Sequence, residues 1–155
     1  MSKFAAKHVT RSHTIRLAGS PAQVFPLFEP LGERQWEPTF QPEMRYPASG
    51  EARAGAVFTT QHHFEATEII WLIADYQPEA HQIRYVKVTP GSQVAVIEVH
   101  CEANGEGETR ASVTYTWTAL TEKGNEEMAK MTEEHYRQYI SGWATAINDF
   151  LRNGN

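Results

Sequence analysis

One cysteine, no run of basic residues and no long apolar run are the first features of this chain, and each absence removes a class of protein. Cys101 is the single cysteine, so neither an internal disulfide nor a thiolate-rich metal site can form. Lys and Arg total 14 against 19 Asp and Glu, a net charge of −5, and without clustered cations the chain cannot displace counterions from a phosphate backbone. Nucleic acid is therefore not expected as a partner. The apolar stretches fall far short of the roughly 20 residues needed to cross a bilayer, which excludes helical membrane insertion. The N-terminal stretch MSKFAAKHVTRSHT lacks the apolar middle of a signal peptide, and a cytoplasmic location is expected.

Metal and nucleotide chemistry also lack their patterns. There is no His-x-x-x-His on a helix and no Cys-x-x-Cys, the spacings that would bring ligands onto one face. His62 and His63 are adjacent, as are His100 and Cys101, and neighbours on a strand point to opposite faces. Gly91, Gly105 and Gly107 lie in turns that no helix follows, so they do not cradle a phosphate. No metal and no cofactor is expected.

What is present is a chain of 155 residues, enough for one domain over 1–155 with one core, in which residues 1–7 read as a flexible tail. His8 to Leu17 alternates as a strand. Ser20, Pro21 and Gln23 form a capping box with proline at the first helical position, so a helix starts at Pro21 and is cut short by Pro26 and Pro30. A second short turn is predicted over Leu31 to Trp36. Strand periodicity then runs through Glu43 to Tyr46, Ala56 to His62, Thr67 to Tyr76, Gln82 to Val88, Gln93 to Ala103 and Ala111 to Leu120, with turn formers between. Successive hairpins imply an antiparallel sheet. Its clearest alternation sets Ala111, Val113, Tyr115 and Trp117 on a dry face and Ser112, Thr114, Thr116 and Thr118 on a polar one. A helix is predicted from an Asn125 cap to Arg152, with the apolar stripe Met128, Thr132, His135, Tyr139, Trp143, Ala146 and Phe150.

These elements define an α+β architecture: a curved antiparallel sheet of about seven strands around a long C-terminal helix. A strongly curved sheet cannot press its whole inner face against a rod about 10 Å wide, so space remains unless large side chains fill it. The polar tips of Thr132, His135 and Tyr139 predict a wetter hollow near the helix start. The simple hydrophobes that follow predict solid packing at its end.

The chain resembles the helix-grip superfamily, which includes START-type lipid-transfer domains, birch-pollen-allergen-like proteins and polyketide cyclase/dehydrase-like proteins. The resemblance rests on Ser20-Pro-Ala-Gln-Val-Phe-Pro-Leu-Phe, Gly32-Glu-Arg-Gln-Trp36, Gly55-Ala-Val-Phe-Thr-Thr60, Val113-Thr-Tyr-Thr-Trp-Thr118 and the helix end from Trp143 to Leu151. It runs from about Ser12 to Leu151 and is closest in look to small bacterial members of unassigned function. It implies a carrier of a small hydrophobic molecule, lipid-like or polyketide-like, or an enzyme of the cyclase, aromatase or dehydratase type. An interaction module like the activators of the chaperone ATPase is a third reading, although the polar threonine face argues against an apolar outer patch. Homodimer formation is compatible with the sequence.

For the hollow, the candidate lining residues are the aromatics Trp36, Phe58, Trp71, Tyr85, Tyr115 and Trp117, whose polar tips suit a flat, mostly apolar guest. From the helix come Met128, Thr132, His135 and Tyr139. As acid or base, Glu98, His100 and His135 are the candidates. Glu98 and His100 share a strand face, but the opposite phase buries Ala95, Ile97, Val99, Cys101 and Ala103 at no charge cost and is favoured.

Overall fold

Strict alternation in the last strand decides which side of the sheet is inside. The computed structural model describes residues 4–61 and 67–153. Its strands are β1 (His8–Leu17), β2 (Glu43–Tyr46), β3 (Val57–Gln61), β4 (Glu68–Gln77), β5 (Gln82–Thr89), β6 (Gln93–Ala103) and β7 (Thr109–Ala119). They form one antiparallel sheet in the order β1-β7-β6-β5-β4-β3-β2, which sets the first strand beside the last. Ala111, Val113, Tyr115 and Trp117 are buried on the concave face, as their spacing requires. The facing residues of β6 are Ala95, Ile97, Val99 and Cys101, all buried; Ala103, at the strand end, is exposed.

The helices are α1 (Pro21–Val24), α2 (Pro30–Glu33), α3 (Glu122–Ala129) and α4 (Glu133–Arg152). Ser20 and Gln23 make the predicted reciprocal cap of α1. The second turn begins at Pro30 rather than Leu31 and ends at Glu33. A single terminal helix capped by Asn125 is not what forms. Thr121 caps α3 by accepting from Gly124 N at 3.1 Å, and Thr132 caps α4 by accepting from His135 N at 3.1 Å. Thr132 competes with helix continuation by bonding the backbone locally, which breaks the rod. Asn125 lies inside α3, where its side chain accepts from Lys7 N at 2.9 Å and donates to Ala5 O at 3.0 Å.

That break resets the helical phase. A stripe counted continuously from Met128 selects Thr132 and His135, yet both are exposed. Instead α4 buries Tyr136, Ile140 and Ile147, with Trp143 half-buried. Tyr136 fills the space near the helix start: its ring meets Trp117 at 5.8 Å and its hydroxyl donates to Val113 O at 2.6 Å. Met128 is buried alongside. The start of the helix is thus solid, contrary to the wet hollow predicted there.

The convex face is not uniform. Over β1 and β7 it is a ladder of hydroxyl pairs, including Ser12 with Thr114 at 2.8 Å and Thr14 with Ser112 at 3.1 Å. Over one end of β4 to β6 it is aliphatic, where the register aligns Ile70 with Val88 and Val94, and Leu72 with Val86 and Val96, while towards the other end Arg84, Glu98 and His100 make it charged. Ile70 and Leu72 are 42% and 36% exposed, so the polar outer surface read from the threonines does not extend over the whole sheet.

The helix phase can be tested by stability. Ile140→Ala should lower the unfolding free energy in urea by about 2–5 kcal/mol, whereas His135→Ala should change it by no more than about 0.5 kcal/mol. Equal effects would contradict the phase described here.

Candidate functional site

Alternation along β5 carries Ile83, Tyr85, Lys87 and Thr89 to one face, and Ile83, Tyr85 and Thr89 are buried there. Lys87 is consequently turned inward, towards the hollow of the sheet. Its Nζ stands 5.0 Å from the centroid of the Trp71 ring on the neighbouring strand. Trp71 is itself fixed: its Nε1 donates to Thr60 Oγ1 at 3.0 Å, and its ring stacks on Phe58 at 5.4 Å and 12°.

The opposite wall comes from the segment around α1 and α2. Tyr85 donates its hydroxyl to Phe28 O at 2.6 Å, and Trp36 Nε1 donates to Leu27 O at 2.8 Å. Gly32 lies so close to the preceding turn that a Cβ there would stand 1.8 Å from Pro26 O. Backbone contact of this kind requires glycine and fixes α2 against the turn. Its last residue, Glu33, then joins the cavity wall. From α4 come Tyr139 and Trp143, whose rings meet edge to face at 5.6 Å.

The result is a cavity of about 340 Å³ between sheet, α2 and α4. Phe28, Ile97, Val99, Trp71, Tyr85 and Tyr115 form its inner walls, with Glu33, Glu37 and Lys87 as its charged groups. Thr39, Gln61 and Tyr139 are exposed at its rim, Tyr139 by 45%. Burial pushes the Glu33 carboxyl up to about 8; nearby Lys87 opposes this shift and Glu37 adds to it. Burial likewise lowers the Lys87 ammonium below the usual lysine range, with Glu33 opposing. Among the described residues neither side chain makes a hydrogen bond or an ion pair, and Glu37 is engaged by Thr39 N and Oγ1 at 3.0 and 2.7 Å. A carboxylic acid and an amine whose charge changes are drawn towards neutrality can exchange protons with a guest.

Of the ten sequence candidates, Trp71, Tyr85, Tyr115 and Tyr139 line this cavity. Trp36 and Phe58 sit behind it as core, Trp36 against Phe28 and Phe58 under Trp71. Trp117 and Met128 are packed at the other end of α4, and Thr132 and His135 face solvent. The proposed acid and base residues do not reach the cavity either. Glu98 is exposed and accepts from Arg84 Nε at 2.9 Å, while His100 Nδ1 lies 3.5 Å from Glu102, both on the convex side. Burial raises the Cys101 thiol to about 12, leaving it inert. His62 and His63 lie outside the described residues. Among the described residues no group of three His, Cys, Asp or Glu could hold a metal ion, and no helix is long and apolar enough to cross a membrane.

Sequence reading missed Glu33 and Lys87. Lys87 was detectable, as a charge in phase with the dry face of a strand. Glu33 carried no such signal, because its orientation depends on the fit of Gly32 against Pro26.

A family model described as polyketide cyclase / dehydrase and lipid transport matches residues 7–147. The chain belongs to that family. Its fold is the helix-grip fold, shared with solved structures at low identity. Norcoclaurine synthase from Thalictrum flavum, solved in complex with dopamine and hydroxybenzaldehyde, superposes with a TM-score of 0.71 at 9% identity, covering 97% of this chain and 90% of that one. An uncharacterised protein from Rhizobium leguminosarum gives 0.67 at 17% identity, covering 96% and 97%. Ara h 8.0201 gives 0.64 at 13%, covering 95% and 99%. A search of curated protein sequences returns no match. At these identities the likeness concerns the fold.

The raised Glu33 pKa has a stability consequence of definite sign. Between the ordinary value of 4.5 and about 8, the native state holds a proton that the unfolded chain has released, so stability falls as pH rises through this window. Glu33→Gln removes that contribution. Urea unfolding of the two proteins should therefore show a stability difference that grows in favour of the variant from pH 4.5 to 8, and a constant difference would refute the burial of Glu33.

Proposed function

We propose that the protein binds a small, mostly apolar, ring-containing molecule in the cavity between sheet and α4, with one polar group of the guest turned towards Glu33 and Lys87. The single observation that carries this reading is the composition of the cavity wall. Aromatic and aliphatic side chains surround it, and among its charged groups Glu33 and Lys87 are near enough for each to act on the charge of the other. Removal of apolar surface from water supplies the affinity, at about 25 cal/mol per Å². The polar pair supplies orientation, because a guest group that fails to satisfy it leaves a buried donor or acceptor unpaired.

Size narrows the class. A cavity of 340 Å³ is at the small end of the range for ligand sites, roughly 300–1,000 Å³, and suits a compact body of one to a few rings better than a long acyl chain. Facing rings at Trp71, Tyr115 and Trp143 offer flat and edge contacts to such a body. Membership in a family described by polyketide cyclisation, dehydration and lipid transport is compatible with both carriage and catalysis. The proton-exchanging pair favours a guest with a group that accepts or donates a proton.

Isothermal titration with 1-naphthol tests the reading. Saturable binding of one molecule per chain is expected. Val99→Phe places a ring in the cavity and should weaken binding tenfold or more while the far-ultraviolet circular dichroism stays unchanged. Unaltered affinity in that variant, or no saturable binding to the wild-type chain, would overturn it.

A further inference from the structure

Lys87 is a primary amine held inside a cavity of rings, and its position defines a chemistry beyond orientation. We infer that Lys87 condenses with the carbonyl carbon of an aromatic aldehyde or ketone seated in the cavity, forming an imine, with Glu33 as the proton donor. This inference rests on the binding reading above and adds to it a substrate class and a covalent step.

Placement comes first. Lys87 pairs laterally with Trp71 on β4 and with Ala95 on β6. The face of the Trp71 ring lies on one side of the amine, 5.0 Å from Nζ, and the neighbour on the other strand is only the small Ala95. Trp71 is locked by Thr60 and Phe58, so the surface that supports the amine is rigid. A guest ring packed against Tyr115 and Trp143 would lie in the same cavity, which Glu33 and Lys87 also line.

The chemistry balances with the groups present. The neutral amine attacks the carbonyl carbon, and a proton passes from nitrogen to the carbonyl oxygen to give a carbinolamine. The Glu33 carboxyl then donates its proton to that hydroxyl, the carbon–oxygen bond breaks and water leaves. A protonated imine on Lys87 and a Glu33 carboxylate remain, so the new cation is created beside its counter-ion. Hydrolysis runs the same steps backwards, and no oxidant, reductant or metal is consumed. Desolvation favours each reactant in the form required: an uncharged lysine is the nucleophile, and burial keeps Glu33 protonated up to about 8. Ionised Glu33 pulls the other way on the amine, as does the face of the Trp71 ring; Glu37 is the other acidic group of the cavity. Lys7, Lys123 and Lys130, by contrast, are exposed, so the chain contains its own controls.

The test uses benzaldehyde and sodium cyanoborohydride near pH 7 on the full chain, with peptide mapping of the reduced adduct. One benzyl group is expected on Lys87, formed at least tenfold faster than on Lys7, Lys123 or Lys130. Benzyl alcohol, which has the ring but no carbonyl, should slow the labelling competitively. Glu33→Gln should slow it tenfold or more and abolish the fall in labelling rate expected as the Glu33 carboxyl ionises towards pH 8, a change in pH profile that a purely structural role would not give. Lys87→Met should remove the label, and mapping on the unmodified chain decides the matter even if that variant does not fold. If benzyl alcohol binds saturably yet Lys87 reacts no faster than the surface lysines, the imine inference is wrong and the binding reading stands. If benzyl alcohol does not bind at all, both fall together.

Discussion

Rigid rings hold a curved sheet away from a single helix, and everything functional in this molecule depends on that separation. A bowed sheet and a straight rod cannot meet everywhere, but the gap would close if flexible side chains could collapse into it. Here planar groups are tied to backbone carbonyls: Tyr85 in the wall to Phe28, Trp36 behind it to Leu27, and Tyr136 at the start of α4 to Val113. Each hydroxyl or indole bond fixes a ring that has only two side-chain torsions to begin with. The start of α4 is filled by Tyr136 against Trp117, and the far end by Ile147, so the residual space is confined to the middle of the helix, beneath Tyr139 and Trp143.

The strands were legible because their signal is local. Alternation in 109–119 and 93–103 needs no knowledge of the rest of the molecule, and the same holds for the Ser20 to Gln23 cap. The helix was half legible. Amphipathic periodicity identifies 133–152 as helical, but the face depends on where counting starts, and a count begun at Met128 crosses the break at Thr132 and arrives about one residue out of phase. Four lining residues, Trp71, Tyr85, Tyr115 and Tyr139, followed from seeking aromatics on the inner face. Histidines drew attention for their chemistry, whereas in the fold His100 and His135 lie on outer surfaces.

Glu33 and Lys87 show two different limits of such reading. Lys87 belongs to the alternating set Ile83, Tyr85, Lys87 and Thr89, so a charge on the dry face was visible and is itself informative, since an unpaired buried charge is costly. Glu33 sits in a four-residue helix with no face to define. Only the contact of Gly32 with Pro26 and the Trp36 bond to Leu27 aim that turn at the cavity. These are contacts between backbone segments and leave almost no trace in hydrophobic periodicity.

Two titratable groups of opposite type in one hollow have a property that neither has alone. Protonated Glu33 with neutral Lys87 sums to zero charge, and so does the carboxylate with the ammonium. Interconversion of these two forms moves a proton without changing the net charge that the cavity must bury. An isolated acid or amine in the same place would have to create an uncompensated charge each time it exchanged a proton, at a cost of several kcal/mol. The coupling between Glu33 and Lys87, each opposing the effect of burial on the other, is the physical expression of that economy. It also explains why the pair is tolerable in a wall otherwise made of Phe28, Trp71, Ile97 and Val99. A guest that takes a proton from one member can return it to the other, so the cavity can alternate between its two neutral sums while the apolar walls and their hydrogen-bonded rings stay where they are.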